Sequence, residues 1–463
     1  MPSPRVHLPA ATPGWEALRE ELGVPGAFPP EVLREAEAAR PAMPLADRTD
    51  VPFLTIDPPG STDLDQAMAL STTTAGYQVL YAIADVAAFV KPGGAVDVEA
   101  HRRGETLYGP DQRAPLHPPV LSENRASLLA DQTRPALVWE LQLDHDGVLI
   151  GTHVARAQVR SRRKLDYAGV QQDIDGGTAT PDLLLLKEIG LKRLALARQR
   201  GAVDLATPEQ VVDADGSLSY RAPLPCEQWN AQISLLTGMA AAQVMLAGGV
   251  GLLRTLPPPP QDAVDSLRRS AMALGVSWRQ GQPYGAVLSA LDPGIPANAA
   301  LLTLATRLLR GAGYTAFDGS PPEQTQHSAV AATYAHCTAP LRRLADRYVG
   351  EVCVALSAGV EVPAWARQAL PQLPAEMAAA DHRAHALDRA IVDLAEALVL
   401  RRRVGESFQG VVVDANHRGG TVQLIDPAVR GKLDAEDPPL GKAVRVRLTQ
   451  ADPGTRSVRF ALE

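Results

Sequence analysis

Three aspartates crowd into nine residues of this chain, directly after an apolar run. They are Asp57, Asp63 and Asp65, in the segment Leu-Thr-Ile-Asp-Pro-Pro-Gly-Ser-Thr-Asp-Leu-Asp-Gln of residues 54–66. Carboxylates this close repel one another, so a fold that gathers them needs a compensating cation. Asp63 and Asp65 lie two residues apart and project to the same side of an extended segment. The Pro-Pro-Gly-Ser turn can fold Asp57 back toward them.

Hard carboxylate oxygens of this kind suit Mg²⁺ or Mn²⁺, which bind one or two carboxylates together with phosphate oxygens of a substrate. The sequence therefore predicts a divalent-metal site. A solvated acidic turn is the alternative interpretation.

Composition places the chain among globular proteins of two or three domains, because 463 residues exceed one ordinary domain. No apolar run reaches the roughly 18–20 residues that cross a membrane, so no membrane association is expected. The three cysteines, Cys226, Cys337 and Cys353, are widely spaced, which favours a reducing cytoplasm and offers no zinc pattern. A net charge of −7 argues against nonspecific coating of nucleic acid but leaves a local basic channel open.

Hydrophobic patterns divide the chain into three predicted domains. Residues 1–50 contain two short helical patterns, which predict either a helix-turn-helix-like module or two helices at a domain edge. Residues 51–403 form a large predicted central domain, rich in strands up to about residue 159 and helical over 183–197, 232–247 and 375–400.

Residues 404–463 predict a separate small barrel. Five short strands, over 408–413, 420–425, 429–433, 443–448 and 457–462, alternate with turns that carry Gly, Asp, Asn and Pro. Five strands at this spacing fit a closed barrel of the OB type, a fold that often binds single-stranded nucleic acid. RNA binding is the favoured role, and a purely structural barrel is the alternative.

Four ordered segments resemble the ribonuclease II/ribonuclease R family. They are residues 54–70 (the acidic signature), Ala-Ile-Ala-Asp-Val at 82–86, Arg-Gly-Glu-Thr-Leu-Tyr-Gly-Pro-Asp at 103–111, and Tyr-Ala-His-Cys-Thr-Ala-Pro-Leu-Arg-Arg-Leu-Ala-Asp at 334–346. Residues 159–167 resemble a further segment of the family more weakly. The resemblance implies an α+β fold: a mixed α/β catalytic domain of the RNB type around a buried RNA channel, followed by the five-stranded OB-type barrel.

The resemblance implies processive 3′→5′ hydrolysis of single-stranded RNA to nucleoside 5′-monophosphates, with Mg²⁺ or Mn²⁺ as cofactor and no obligate protein partner. Asp57, Asp63 and Asp65 are then the predicted metal ligands and catalytic carboxylates, with Asp65 closest to the attacking water. Arg342 is expected to contact the scissile phosphate, and Arg343 either a neighbouring phosphate or Asp346.

Further RNA contacts follow from the same resemblance. Tyr108 corresponds to an aromatic residue that stacks on a base near the 3′ end. Leu205 occupies the position of the residue that clamps the base from the side opposite Tyr108. Asp388 lies near an acidic position of the family that contacts the terminal nucleotides.

The chain departs from the family in places that keep other functions open. Gln66 stands where a fourth aspartate is usual, so it offers the metal only a neutral oxygen. Leu205 replaces an aromatic residue, and residues 1–50 are too short for the cold-shock barrels with which bacterial members usually begin. A catalytically weak or inactive RNA-binding regulator on the same scaffold is therefore the main alternative, and a phosphohydrolase of small molecules is a third.

Two smaller features have no assigned function from sequence. Arg156, Arg160, Arg162, Arg163 and Lys164 form a basic run that either tracks the RNA backbone or is a solvated face. His336 fits a packed residue near the site better than a metal ligand.

Overall fold

Two closed β-barrels joined by a helical body make up the computed structural model. It describes residues 15–41, 43, 46–109, 113–203, 205, 209–212, 218–424 and 426–463; for residues 209–212 and 220 only the backbone is considered. The mixed α/β fold class and the closed five-stranded barrel at the C-terminal end are both as predicted from sequence.

The N-terminal part contains two short helices, α1 (Trp15–Glu21) and α2 (Pro30–Ala38). They are anchored to different clusters: Trp15 packs with residues of the C-terminal barrel, whereas Val32 packs with residues of the first barrel. Residues 1–14 lie outside the described part of the chain, so the helix-turn-helix-like module remains a prediction.

The described residues between 47 and 166 form seven strands and one α-helix. The strands are β1 (Asp47–Asp57), β2 (Gln66–Thr73), β3 (Gly76–Ala84), β4 (Leu107–Tyr108), β5 (Arg113–Ala114), β6 (Thr133–Asp144) and β7 (Leu149–Asp166), and helix α3 (Ala95–Arg103) lies between β3 and β4. Five of these strands close a barrel in the order β1-β2-β3-β6-β7. The closure is a parallel pairing of β1 with β7, which sets Asp57 beside Asp166.

The hairpin of β4 and β5 is inserted between the third and fourth barrel strands. Its register pairs Tyr108 with Arg113. Glu105, just before β4, forms a backbone bridge to Arg343, and the Thr106 N–H donates to the Arg342 carbonyl at 2.9 Å. The hairpin is therefore bonded directly to the segment that carries Arg342 and Arg343.

The central body consists of nine further helices and six short strands within the described residues. The helices are α4 (Tyr167–Gly176), α5 (Pro181–Arg200), α6 (Pro225–Gly248), α7 (Gln261–Ala273), α8 (Tyr284–Leu288), α9 (Pro296–Ala305), α10 (Leu344–Ser357), α11 (Ala364–Ala369) and α12 (Leu373–Leu400). The strands are β8 (Glu209–Val212), β9 (Leu218–Arg221), β10 (Val250–Thr255), β11 (Gly313–Asp318), β12 (Gln326–His327) and β13 (Ala332–Thr333).

Helix α6 lies in the middle of the main core, together with α5 and α10. It begins at Pro225, whose missing N–H costs nothing in the first turn, and ends at Gly248, after which Gly249 takes the left-handed conformation. Within the described residues, this one helix is long and apolar enough by length and composition to cross a membrane. More than half of its apolar window is buried inside the protein, as expected of a core helix.

Helices α7 to α9 form a small helical segment with a cluster of its own. Leu267, Leu288 and Leu301 are buried there, and Leu205 packs against them. Ala300 of α9 also packs against Val411 of the C-terminal barrel. The segment therefore connects the catalytic body to that barrel.

The C-terminal barrel consists of β14 (Ser407–Asn416), β15 (Gly419–Leu424), β16 (Arg430–Asp434), β17 (Ala443–Asp452) and β18 (Ser457–Leu462). The strands close in the order β14-β15-β16-β18-β17, with β16 and β18 parallel and the other pairs antiparallel. All five strands predicted from sequence are present, because alternating burial at this spacing is typical of a small barrel.

Candidate active site

The acidic loop begins where β1 ends at Asp57 and returns to the barrel at Gln66. Pro58 accepts a hydrogen bond from the Ser61 N–H at 3.2 Å, and Gly60 takes a positive φ that closes the turn. Leu64 is fully buried, and its N–H donates to the Ser127 hydroxyl at 2.9 Å. This anchor fixes the backbone between the two carboxylates that flank it.

Asp65 is the most buried carboxyl group of this loop, at 5% exposure. Its Oδ1 accepts from the backbone N–H of Leu341 at 2.7 Å, and its Oδ2 accepts from Arg342 Nε at 3.3 Å. Burial raises the pKa of Asp65 to about 8, and the carboxylates of Asp63 and Asp346 add to the rise, although Arg342 and the Leu341 amide oppose it.

Asp63 lies beside an arginine and an aromatic ring. Arg113 Nη1 donates to Asp63 Oδ1 at 2.7 Å, and its other terminal nitrogen lies 2.9 Å from Glu123. Burial raises the pKa of Tyr108 to about 12, and the charges of Asp63 and Asp65 contribute to that rise while Arg342 opposes it. Tyr108 is thus close to both carboxylates and to Arg342, and its stacking on a base stays a prediction.

Gln66 uses both ends of its side-chain amide. Its Nε2 donates to the Thr338 carbonyl at 2.6 Å, and its Oε1 accepts from the Tyr81 hydroxyl. The carbonyl of Thr338 can only accept, so the amide orientation is determined. A metal ion at Gln66 would have to share the oxygen that Tyr81 binds.

Asp57 affects the pKa values of two tyrosines near the acidic loop. It contributes to the raised pKa values of Tyr81 and Tyr167, both raised chiefly by burial, and the pKa of Tyr167 reaches about 12. Tyr81 is also affected by Asp65. The two tyrosines therefore lie close to the acidic loop.

Sequence reasoning did not identify Arg113, Tyr81 or Tyr167 as members of the site. Tyr167 is the last residue of segment 159–167, whose weak resemblance to the family could have indicated it. Arg113 and Tyr81 carry no local signal, because only the long-range packing of the hairpin and the barrel brings them to the loop.

The carboxylates fit a divalent ion that is completed by substrate rather than held in a full protein cage. The described residues contain no group of three or more His, Cys, Asp or Glu side chains gathered closely enough to hold a metal. Yet Asp65 is buried near the carboxylates of Asp63 and Asp346, and these charges add to the rise in its pKa. A bound cation would offset this electrostatic cost. One or two carboxylates with phosphate oxygens and water is the usual protein site for Mg²⁺.

The two neighbouring arginines have different environments. The side chain of Arg342 is 45% exposed and touches Asp65 with only one nitrogen. Arg343 binds Asp346 through two nitrogens, at 2.6 and 2.9 Å, and Asp346 also accepts from the Ala339 N–H at 2.7 Å. Of the two roles left open by the sequence, Arg343 has the structural pairing with Asp346, and Arg342 remains available to a ligand.

Leu205 and Asp388 lie in settings that the sequence did not indicate. Leu205 packs against the small helical segment, so its described contacts are those of an apolar packing residue. Asp388 and Asp381 together raise the pKa of Glu105, whose own burial is the main cause. Asp388 therefore belongs to an acidic group near Glu105, on the side of the hairpin that contacts Arg343.

His336 is packed within an aromatic group. Its Nδ1 lies 2.7 Å from the Tyr314 hydroxyl, and its ring meets those of Tyr314 and Tyr334 edge to face. Burial holds its pKa well below the usual value. These contacts agree with the packed role favoured from sequence.

The basic run of β7 divides into two kinds of residue. Arg156 pairs with Asp85 and Glu351, and Arg163 pairs with Asp182. Arg160, Arg162 and Lys164 donate instead to neutral oxygens of Thr133, Thr49 and Ser61. The run is therefore partly structural, and it does not form one continuous free cationic surface.

Comparison with known proteins identifies the family. The RNB domain model matches residues 46–356, and the model of the RNase II-type exonuclease C-terminal S1 domain matches residues 406–463. The chain therefore belongs to the RNB-domain exoribonuclease family, with a C-terminal S1 domain.

Individual relatives agree with this assignment. The chain is 32% identical over 341 residues to the exosome complex exonuclease RRP44 homolog A of Arabidopsis thaliana, a match that covers 69% of this chain and 36% of the relative. It is 27% identical over 448 residues to ribonuclease R of Aquifex aeolicus, covering 90% of this chain and 62% of the relative. The chain thus spans between about a third and two thirds of the length of these relatives.

Solved structures support the fold. Mycoplasma genitalium RNase R in complex with ribose methylated single-stranded RNA superposes with a TM-score of 0.86 at 18% identity, covering 97% of this chain and 78% of that one. Yeast Ssd1, a pseudonuclease, superposes with a TM-score of 0.72 at 16% identity, covering 89% and 55%. The same fold therefore occurs in a named nuclease and in a named pseudonuclease.

Proposed function

We propose that this protein is a divalent-metal-dependent exoribonuclease that hydrolyses single-stranded RNA processively from the 3′ end to nucleoside 5′-monophosphates. The observation that carries the proposal is the arrangement of Asp65, Arg342 and Tyr108. A buried carboxyl group, an exposed guanidinium and an aromatic ring lie together, and each suits a different part of an RNA 3′ end.

Each side chain has a distinct task in this proposal. Arg342 contacts the scissile phosphate and neutralises the charge that develops there, because a guanidinium forms strong paired hydrogen bonds to phosphate. Tyr108 stacks on a terminal base, an interaction worth about 1–3 kcal/mol that does not depend on base identity. Asp65 orients the attacking water and accepts its proton.

Asp63 and Asp65 are the residues that would hold the metal, together with phosphate oxygens of the substrate, with Mg²⁺ or Mn²⁺ as the fitting ions. When bound, the ion supplies the positive charge that activates water and stabilises the leaving oxygen. Arg113 keeps the Asp63 carboxylate oriented through its 2.7 Å hydrogen bond. Gln66 mainly links Tyr81 and Thr338 by hydrogen bonds and supplies no carboxylate. We therefore expect half-maximal activity to need a higher metal concentration than in a site with four carboxylates.

The cellular setting follows from the same proposal. Three free, buried cysteines fit a reducing cytoplasm, and RNA turnover in that compartment is the proposed role. Single-stranded RNA is the proposed partner, delivered through a buried channel in the catalytic domain.

A second function, an RNA-binding regulator with weak or no catalysis, is favoured by one observation. Gln66 stands in place of a carboxylate, and its amide is already engaged. Such a protein would bind RNA tightly without turnover.

The test is digestion of a 5′-labelled oligoadenylate with Mg²⁺ or Mn²⁺. We expect shortening from the 3′ end and release of AMP, with little action on the matched DNA oligomer. Absence of shortening with both ions would reject the proposal, and tight binding that Asp65→Asn leaves unchanged would then support the regulator. Equal activity on a small phosphodiester would favour a small-molecule phosphohydrolase instead.

A further inference from the structure

A groove of about 510 Å³ opens on the outer side of the small helical segment, away from the acidic loop in sequence. It runs along the end of α7 and the loop that follows, and its lining includes Asp265, Arg268, Arg269, Met272, Val276 and Trp278. The volume is that of a typical small-ligand site. None of these residues belongs to the proposed active site.

Trp278 and Arg268 form a stacked pair in this groove. The indole Nε1 donates to the Gln282 carbonyl at 2.9 Å, which fixes the ring. The guanidinium carbon of Arg268 lies over that ring, 5.1 Å from its centroid. A guanidinium fixed on an aromatic ring presents a second flat face, on which a nucleobase stacks well.

The donors of the groove are incompletely satisfied. Arg268 Nε is buried without a hydrogen-bond partner, and Arg268 Nη1 forms a long ion pair with Asp265 at 3.9 Å. Within the described part of the chain, Arg269 has no ion-pair partner. Arg269 therefore has a guanidinium free for an anion, and Arg268 is held only by one long ion pair.

Local charge and apolar exposure point to the same kind of ligand. The lining of the groove carries two arginines, Arg268 and Arg269, against one acid, Asp265, in a chain whose net charge is −7. Met272 in the groove is 77% exposed, a large apolar surface left open to solvent. A polyanion with flat apolar bases complements this combination.

The groove also borders the C-terminal barrel. Leu274, between Met272 and Val276, packs with Ala300 against Val411 and Val413 of β14. A side chain at Gly441 of the barrel would meet Leu274. The end of α7 therefore packs directly on the S1 domain.

We propose that this groove is a second binding site for single-stranded RNA, which takes a base on the Trp278–Arg268 pair and backbone phosphates on Arg268 and Arg269. The identity of the ligand rests on the proposed function, whereas the site itself is separate from the one that cleaves. It would hold the part of a long substrate that lies outside the catalytic channel.

The experiment measures RNA affinity in the Asp65→Asn background, where the substrate is not consumed. Arg268→Gln and Arg269→Gln are combined in that background, and Arg310→Gln, an exposed arginine of the same segment outside the groove, is the matched control. A 20-nucleotide oligoadenylate is compared with a tetranucleotide at several salt concentrations.

We expect the double variant to bind the 20-mer at least 10-fold more weakly in low salt. The slope of log affinity against log salt should fall by about 0.7 for each phosphate that the variant no longer binds. Affinity for the tetranucleotide should not change, and Arg310→Gln should behave as the parent protein. Quenching of tryptophan fluorescence by the 20-mer should shrink in Trp278→Phe.

Other results would overturn the proposal in distinguishable ways. An unchanged 20-mer affinity and salt slope in the double variant would remove the groove as an RNA site while the proposed function stands. Competition by free AMP as strong as that of the 20-mer would make the groove a nucleotide pocket instead. Failure of the parent protein to bind RNA of either length would reject both proposals together.

Discussion

The Asp65 carboxylate accepts a hydrogen bond at 2.7 Å from the backbone N–H of Leu341, a residue 276 positions further along the chain. The contact joins the acidic loop of the first barrel to the turn that precedes α10. It also places Arg342 within 3.3 Å of the same carboxyl group. The catalytic proposal depends on this junction, because neither segment forms the site alone.

Asp65→Asn is expected to abolish hydrolysis and to preserve RNA binding. The amide oxygen can still accept from the Leu341 N–H, so the junction should survive, but it can neither take a proton from water nor bind a cation as a carboxylate does. Loss of a general base typically costs about 10²–10⁴ in rate. Initial rates on labelled oligoadenylate and binding by fluorescence anisotropy would measure the two effects. Asp50→Asn, at an exposed carboxylate of the same barrel, should leave both unchanged.

Alanine substitution should mainly lower activity at Arg342 and mainly lower stability at Arg343. Arg342→Ala is expected to lower kcat by about 10²–10³, as loss of a transition-state donor does, and to change stability by less than about 1 kcal/mol because the side chain is half exposed. Arg343→Ala should cost about 3–5 kcal/mol in unfolding free energy, because it leaves the buried Asp346 carboxylate without its paired donor. Urea unfolding and single-turnover rates on both variants would separate the roles. Equal losses of activity and stability in the two would contradict the assignment.

Local pattern was enough to predict much of the fold. The strand predicted at residues 77–84 is present as Gly76–Ala84, and the helix predicted at 375–400 as Leu373–Leu400. Alternating burial and turn residues mark such elements within a short window, so no distant contact is needed to find them. The carboxylates Asp57, Asp63 and Asp65 are equally visible because they are neighbours in sequence.

Long-range pairing could not be predicted from the residues themselves. The parallel pairing of β1 with β7 closes the first barrel across about a hundred residues, and nothing in either strand specifies the partner. Arg113 reaches Asp63 only because the inserted hairpin folds over the loop. Leu205, whose position matches the family's base clamp, has its described contacts in a packing cluster, and its contact with RNA stays a prediction.

Gln66→Asp tests the missing fourth carboxylate. Aspartate is too short and lacks the donor needed for Thr338, so we expect a loss of about 1–3 kcal/mol in unfolding free energy. The added carboxylate should nevertheless lower the Mg²⁺ concentration required for half-maximal activity. Gln66→Ala loses the same two hydrogen bonds without adding a charge, and it serves as the matched control. An identical Mg²⁺ dependence in the two variants would mean that this position does not contribute to metal binding.

Glu105→Gln should change how stability depends on pH. Glu105 Oε1 is buried without a hydrogen-bond partner among the described residues, and burial together with Asp381 and Asp388 raises the pKa of this group from 4.5 to about 7. The folded protein therefore binds this proton more tightly than the unfolded chain. That contribution to stability is fully present below pH 4.5 and is lost as the pH rises through 7.

Glutamine at position 105 does not titrate, so the variant should gain stability relative to the parent as the pH rises from 5 to 8. The gain should approach about 3 kcal/mol, the equivalent of a shift of this size. Urea unfolding at pH 5, 6 and 8 would measure it, with Glu31→Gln, an exposed glutamate of α2, as the control. A difference between variant and parent that stays constant over this range would show that Glu105 is ionised in the folded protein. The acidic group around Asp388 would then have to be compensated by Arg343 and Arg254, the two cations that oppose the rise.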